Sequence, residues 1–272
     1  MKLLDARCVL SADRRGSSWP VLAETDDGTW FTKLRGAAQG TGALVAEVIV
    51  AELAESLGLR APARSLVRFG DDIESIDKND ELADLLRASR GVNLGFAYLE
   101  GATNFSPESD PARVRQEDAV AIVWLDGLTA NPDRTARNSN LLWWRGALYL
   151  IDHGAALGFQ YSLPDVDPSA ARRPYTIREP HLLREQAGDL GAHDEALAAR
   201  LPREAVERAV AAVPDEFLTQ LAGDELNARR AAYVDYLVRR LDVPRPFLVP
   251  TVVASPNELG RRGRPSWLAG RR

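Results

Sequence analysis

The stretch Asn131-Pro132-Asp133-Arg134-Thr135-Ala136-Arg137-Asn138-Ser139-Asn140 runs into Leu141-Leu142-Trp143-Trp144, then Arg145-Gly146, then Ala147-Leu148-Tyr149-Leu150-Ile151 and Asp152-His153-Gly154. Two apolar runs about a two-residue turn predict a β-hairpin. Pairing about Arg145-Gly146 sets Ser139 opposite Asp152 and Asn138 opposite His153, and cross-strand neighbours lie about 5 Å apart. The hairpin therefore carries Asn138 and Asp152 to one spot. A strict ladder would put these two on opposite faces, so the chain must leave regular pairing there. Upstream, residues 119–125 are apolar all round, which predicts the buried half of a helix that starts beyond an Asp110 cap with Pro111 at its first position and runs to about Thr129.

These residue types suit one chemistry. A hard divalent cation such as Mg²⁺ takes a few protein oxygens and completes its shell from a multi-phosphate substrate. The Asp152 carboxylate and the Asn138 amide oxygen supply such ligands. Asp133, five residues before Asn138, can accept the proton of an attacking hydroxyl. Arg137 can stabilise charge on a transferred phosphoryl group. Asp-x-x-x-x-Asn arises often by chance; its place between a buried helix and a hairpin ending in Asp-x-Gly gives it weight.

The first third of the chain reads as the complement. Strands are predicted over residues 3–10, 19–24 and 29–35, with a polar turn over 11–18 and a tight turn at Asp26-Asp27-Gly28. The glycine-rich segment 36–42 leads into a helix over 43–57, closed by Gly58, and a strand over 62–69 follows. Lys2, Lys33 and Lys78 are the only lysines among 34 basic residues. A lysine inside an apolar strand thus stands out, and Lys33 is placed to reach phosphates. The polar turn, with Gly16 and Ser17 near its tip, would lie over them with backbone N–H groups available. Lys33 needs a carboxylate to hold it. The helix offers Glu47 and Glu52, and helical phase sets Glu52 in the apolar stripe with Glu47 nearly opposite.

Beyond residue 70, seven acids over residues 71–84 predict a solvated loop leading into a surface helix at 82–88. Residues 91–104 read as a glycine-punctuated connection, the best lobe boundary. After residue 180 helices are predicted near 182–187, 202–212 and 224–241, the last with Leu226, Val234, Leu237 and Leu241 on one face. His181 reads as a surface or packing residue and Asn140 as structural. The division is 1–92, 93–260 and a basic tail over 261–272.

Composition excludes other classes. The chain has 272 residues, 45% hydrophobic and 27% charged, with a formal net charge of −5. An acidic body is a poor binder of nucleic acid. One cysteine, Cys8, excludes an intramolecular disulfide framework and a Cys-cluster zinc site, and the count of three histidines argues against a multi-histidine metal site. With no apolar run long enough for a membrane span and an acid at position 5, the expected location is cytoplasmic, away from membranes.

Further matching stretches carry a resemblance: Phe31-Thr32-Lys33-Leu34-Arg35-Gly36 with Gln39-Gly40, Glu47 followed by Leu53-Ala54 and Gly58-Leu59, and Asn93-Leu94-Gly95 with Tyr98-Leu99. To these add residues 131–138 and Leu150-Ile151-Asp152-His153-Gly154. With them the chain resembles the HipA-like kinases over nearly its whole length, in a compact form lacking an additional N-terminal subdomain. The Asp133-Arg134 opening is similar to that of phosphatidylinositol 3- and 4-kinases. The resemblance implies an α+β, bilobal protein-kinase-like fold, with a small β-rich N-lobe bearing one helix and a larger, mainly helical C-lobe. It implies ATP and Mg²⁺ as cofactors, Asp133 and Arg137 as catalytic residues, and Asn138 and Asp152 as metal ligands. Lys33 with Glu47 as its partner, Gly16, Ser17, Tyr98 and Leu99 would bind the nucleotide, the last two beside adenine. The implied acceptor is a hydroxyl of a protein Ser/Thr or of a small molecule. A nucleotide-binding pseudokinase acting as a scaffold is the alternative, and transfer of AMP a third. An antitoxin partner has the least support, because the missing subdomain is where such contacts would be expected. No Ala-Pro-Glu segment is present, which departs from ordinary protein kinases.

Overall fold

The computed structural model describes residues 1–13, 19–163, 167, 169–218, 221 and 223–253. Gly16 and Ser17 of the predicted phosphate-covering turn, and the basic tail, lie outside the described residues.

Five strands close into a barrel in the order β1 (Leu3–Ala12), β2 (Val21–Thr25), β3 (Gly28–Lys33), β5 (Gly91–Ala97) and β4 (Arg64–Phe69). The β2–β3 hairpin turns at Asp26-Asp27, where Thr25 Oγ1 accepts the Asp27 N–H at 3.1 Å and donates to the Gly28 carbonyl at 2.8 Å. Gly28 takes φ of +90°, a conformation a side chain disfavours. Closure comes from β1, which has irregularities at Ala6/Cys8 and Val9/Ser11 and pairs in parallel with β4, Leu3 opposite Leu66. Such bulges bend and twist a strand, which is what a small barrel requires. Leu4, Val9, Val21, Ala23, Trp30, Val67 and Phe69 form the core of this part, with Leu82 and Leu86 of α2 (Asp80–Ala88). Asn79 caps α2, its side chain accepting the Leu82 N–H at 2.9 Å.

Two sequence expectations are corrected here. The segment from Gly91 is a barrel strand, not a connection. β5 runs antiparallel between β3 and β4, with Lys33 opposite Leu94. Its glycines serve close packing: a Cβ on Gly95 would lie 2.5 Å from Val67 Cγ2. A division at residue 92 would therefore cut a strand. The resemblance implied one helix in the N-terminal part, which contains two, α1 (Gly40–Ser56) and α2, the latter at the surface helix read from residues 82–88.

α1 is buried on nearly every face and belongs to the larger hydrophobic cluster, with α3 (Gln116–Leu128), α6 (Arg203–Ala211) and α7 (Asp224–Leu241). The short helices α4 (Arg184–Ala187) and α5 (Asp194–Ala198) lie between α3 and α6 in sequence. α3 is buried from Ala119 to Leu128, Asp126 included. It starts later than expected. A separate 3-10 turn holds Pro111–Arg113, and the Asp110 carboxylate takes the Ser106 N–H at 2.8 Å and the Arg113 guanidinium at 2.8 Å instead of capping a helix. The inward face of α7 contains the predicted stripe, with Val234 and Leu237 buried and Leu226 and Leu241 partly buried against the core, and it is widened by Tyr233, Tyr236 and Arg240. Three minor strands complete the hairpin sheet and a parallel pair. β6 (Thr103–Asn104) joins β7 (Leu141–Trp144) and β8 (Ala147–Leu150), while β9 (Thr176–Ile177) pairs with β10 (Thr251–Val252). The fold is mixed α+β. Among the described residues no helix is long and apolar enough to cross a membrane.

Candidate active site

The hairpin has the register read from its sequence, with Leu141 opposite Leu150 and Trp144 opposite Ala147. The Ile151 N–H still donates to the Asn140 carbonyl at 3.1 Å. Beyond that bond both strands turn away. Asn140 takes φ of +48° and Asp152 φ of +57°, the left-handed region that Asn and Asp tolerate best. This departure from the ladder frees residues 138 and 152 from the opposite-face rule.

Asn140 ties the two arms together. Its Nδ2 lies 3.3 Å from the Asp133 carbonyl, 3.4 Å from Asp133 Oδ2 and 3.4 Å from the Asp152 carbonyl. Asn138 donates its Nδ2 to Asp133 Oδ2 at 2.8 Å. That bond turns the Asn138 amide so that Oδ1 is the end left for a cation. Asp133 also donates its backbone N–H to Asn131 Oδ1 at 3.2 Å.

From the barrel, Lys33 at the end of β3 brings its ammonium to Glu47 on α1 and to Asp152 Oδ1, the latter at 2.6 Å. Glu47 is fully buried, Lys33 nearly so, and the Asp152 side chain is 42% exposed. Burial works against the Lys33 charge, but Glu47 and Asp152 outweigh it and hold its pKa above the ordinary lysine value. Burial pushes the Glu47 carboxyl up against the pull of Lys33. For Asp152 burial also opposes ionisation, and the Lys33 ammonium prevails, so the carboxyl sits below its usual range. Glu52 lies elsewhere: it pairs with Arg64 of β4 at 2.7 Å. The apolar stripe could not choose between the two acids, because α1 is buried on faces toward both the barrel and the helices.

A cavity of about 740 Å³ opens beside this cluster. Phe31, Lys33, Phe96, Tyr98 and Leu99 line it from the barrel side, and Arg137, Asn138, Leu142 and Asp152 from the other. Tyr98 is exposed. Arg137 points into solvent, 3.4 Å from Glu179 Oε1. His153 is buried, and burial, then the nearby Arg134 charge, pulls its pKa down to about 3, so the imidazole is neutral. Neither ring nitrogen has a hydrogen-bond partner among the described residues. Also among these, no group of three or more His, Cys, Asp or Glu forms a metal cage. One carboxylate and one amide oxygen are a donor set for a cation that keeps waters and phosphate oxygens as its other ligands.

The sequence reading missed what holds the loop. Asp126, buried in α3, accepts Arg134 Nε at 2.6 Å and Asn131 Nδ2 at 3.0 Å. His181 Nε2 lies 2.9 Å from its Oδ2, and the Leu183 N–H donates to His181 Nδ1 at 3.0 Å. Nδ1 is thus an acceptor, which makes Nε2 the N–H that donates to Asp126. Burial opposes the Asp126 charge, but Arg134 and His181 overcome it and hold the carboxyl far below the usual range. Arg134 also donates to the Asn140 carbonyl at 2.5 Å, and Tyr175 donates its hydroxyl to the Asn131 carbonyl. His181 was read as a surface or packing residue. The structure buries it in this network. A lone carboxylate in an apolar helix was a legible signal; its partner 55 residues away was not.

The fold and site define a mixed α+β protein in which a carboxylate-held lysine and an Asp/Asn loop face one cleft. A family model described as HipA-like kinase matches residues 7–228. The chain belongs to that family, which makes it a kinase-type phosphotransferase by membership. No curated protein sequence matches it. Among solved structures it is similar to the Helicobacter pylori proinflammatory kinase CtkA, at 13% identity over 85% of this chain and 95% of that one, with a TM-score of 0.47. It is also similar to Shewanella oneidensis MR-1 HipA, solved with HipB and operator DNA, at 13% identity over 88% of this chain and 64% of that one, with a TM-score of 0.45.

Proposed function

We propose that the chain transfers the γ-phosphoryl group of ATP, with Mg²⁺, to a hydroxyl, most simply that of a protein Ser or Thr. The observation that carries this reading is the convergence of Lys33, Glu47 and Asp152 with the Asp133–Asn138 pair beside one cleft. Lys33, held by Glu47, would neutralise phosphate charge. Tyr98 and Leu99 would flank the base. Asp133, fixed by Asn138 and Asn140, would take the hydroxyl proton as the acceptor oxygen bonds phosphorus and the bond from phosphorus to the ADP oxygen breaks. Arg137, exposed at the mouth, would counter charge on the moving group. Asn138 Oδ1 and Asp152 would hold Mg²⁺, which when bound supplies charge neutralisation on the phosphates. In this reading the barrel and the helical part act as two lobes about the cleft.

Asp133→Ala and Asp152→Ala should each lower phosphoryl transfer by about 10²–10⁴-fold, with unchanged circular dichroism and melting. Full turnover by both purified variants would refute the assignment. ATP binding by thermal shift with Mg²⁺, but no transfer to any acceptor by the wild type, would establish a scaffold instead.

A further inference from the structure

The segment from Tyr175 to Leu182 is fastened at four points, three on the candidate catalytic loop and one on α3. Tyr175 donates its hydroxyl to the Asn131 carbonyl, and Glu179 Oε1 lies 3.4 Å from Arg137. His181 Nε2 binds Asp126 at 2.9 Å, and the Leu182 N–H donates to the Arg134 carbonyl at 3.0 Å. Between the first two fastenings lies β9.

β9 has one edge in use and, among the described residues, one open edge. Toward β10, the Tyr175 carbonyl accepts the Thr251 N–H at 2.7 Å and the Ile177 carbonyl accepts the Val253 N–H at 2.9 Å. Main-chain groups alternate in direction along a strand. The N–H and C=O of Thr176 and the N–H of Arg178 therefore point away from β10, and among the described residues no main-chain partner meets them. Thr176 and Arg178 are exposed. Pro174 and Pro180 bracket the edge and cannot donate, so the open ladder is short and its limits are set.

The charges here have a sign. Arg178 has no ion-pair partner among the described residues, and Arg137 has only the longer contact to Glu179. Arg173 is engaged by Asp167 at 2.6 Å. Two arginines thus face outward beside the loop that holds Asp133, with Glu179, next to Arg178 in the chain, 3.4 Å from Arg137.

We propose that the free edge of β9 receives the acceptor polypeptide as an added extended strand, and that Arg178 and Arg137 select an acceptor hydroxyl flanked by acidic residues. This rests on the phosphotransferase reading and names its substrate class. Strand addition supplies main-chain hydrogen bonds without regard to sequence, while the flanking side chains supply specificity. Charge matching at such a rim governs selection between partners.

The test uses the full chain and three fluorescent peptides: a serine flanked by glutamates, its lysine-flanked twin, and the glutamate peptide with alternate backbone amides N-methylated. ATP turnover without peptide is followed in parallel and reports on the kinase reading alone. By anisotropy the glutamate peptide should bind about tenfold more tightly than its twin, and N-methylation should abolish that binding. Arg178→Glu should reverse the preference while leaving peptide-free ATP turnover unchanged. Equal binding of the twins, indifference to N-methylation, or a preference untouched by Arg178→Glu overturns the proposal with turnover intact. So does transfer to glycerol but to none of the peptides. Absence of ATP turnover in the wild type brings down the kinase reading itself, and this proposal with it, by a separate signal.

Discussion

Lys33 and Glu47 form a buried pair whose members depend on each other, since an ion left alone in such a place is costly while an apolar replacement of both is cheap. Lys33→Met should destabilise the protein by about 3 kcal/mol in urea titration, because it strands the Glu47 carboxylate. Adding Glu47→Leu should recover most of that loss. Under the proposed function the wild type should show a thermal upshift with ATP and Mg²⁺, and both variants should lose it. A double variant no more stable than the single one would show that burial, not charge, dominates the site. At this scale the sequence was informative, because arginine fills every basic position except Lys2, Lys33 and Lys78. Helical phase by itself did not select Glu47 over Glu52, a choice that rested on the family resemblance, because it depends on which side of a doubly covered helix faces the cleft.

At the scale of elements, the loop between α3 and β7 hangs from Asp126. Because its folded pKa is depressed, Asp126 contributes stability that is fully present above the unfolded carboxylate value near 4 and is lost as pH falls toward the lower folded value. Asp126→Asn should therefore cost about 3 kcal/mol at pH 7 and flatten the fall in stability below pH ~4, as measured by urea titration across pH. An acid limb as steep as that of the wild type would exclude this carboxylate as its source. The hairpin that follows was legible in the sequence down to its register, since a two-residue turn between apolar runs permits little else. β5 was not. Its glycines signal a loop by composition, and only the approach of Val67 to Gly95 shows why a strand needs one there.

Across the whole molecule, two arginines stitch distant segments together through backbone carbonyls. Arg240 of α7 is buried with no carboxylate partner among the described residues and donates to the carbonyls of Gly127 and Leu128 at 2.7 Å, and of Ala171 and Arg173 at 3.2 and 3.1 Å. The carbonyl end of α3 carries the negative pole of its helix dipole, which favours a cation there. Arg172 returns the contact, donating to the carbonyls of Arg239 and Asp242 at 2.8 Å and of Pro244 at 2.5 Å. Arg240→Leu should cost about 3 kcal/mol in thermal or urea melts, more than Arg172→Leu, whose carbonyls lie in reach of water. Equal losses would remove burial as the reason for the difference.

The sequence by itself determined the barrel strands other than β5, the main helices, the hairpin and the family, because period, turn chemistry and short motifs act over a few residues at a time. Tertiary structure alone decided closure of the barrel, the burial of His181 against Asp126, and the edge of β9 near Arg137. Each of these joins groups far apart in the chain, and their energies come from exclusion of water and from charges meeting inside the fold, which no local pattern encodes.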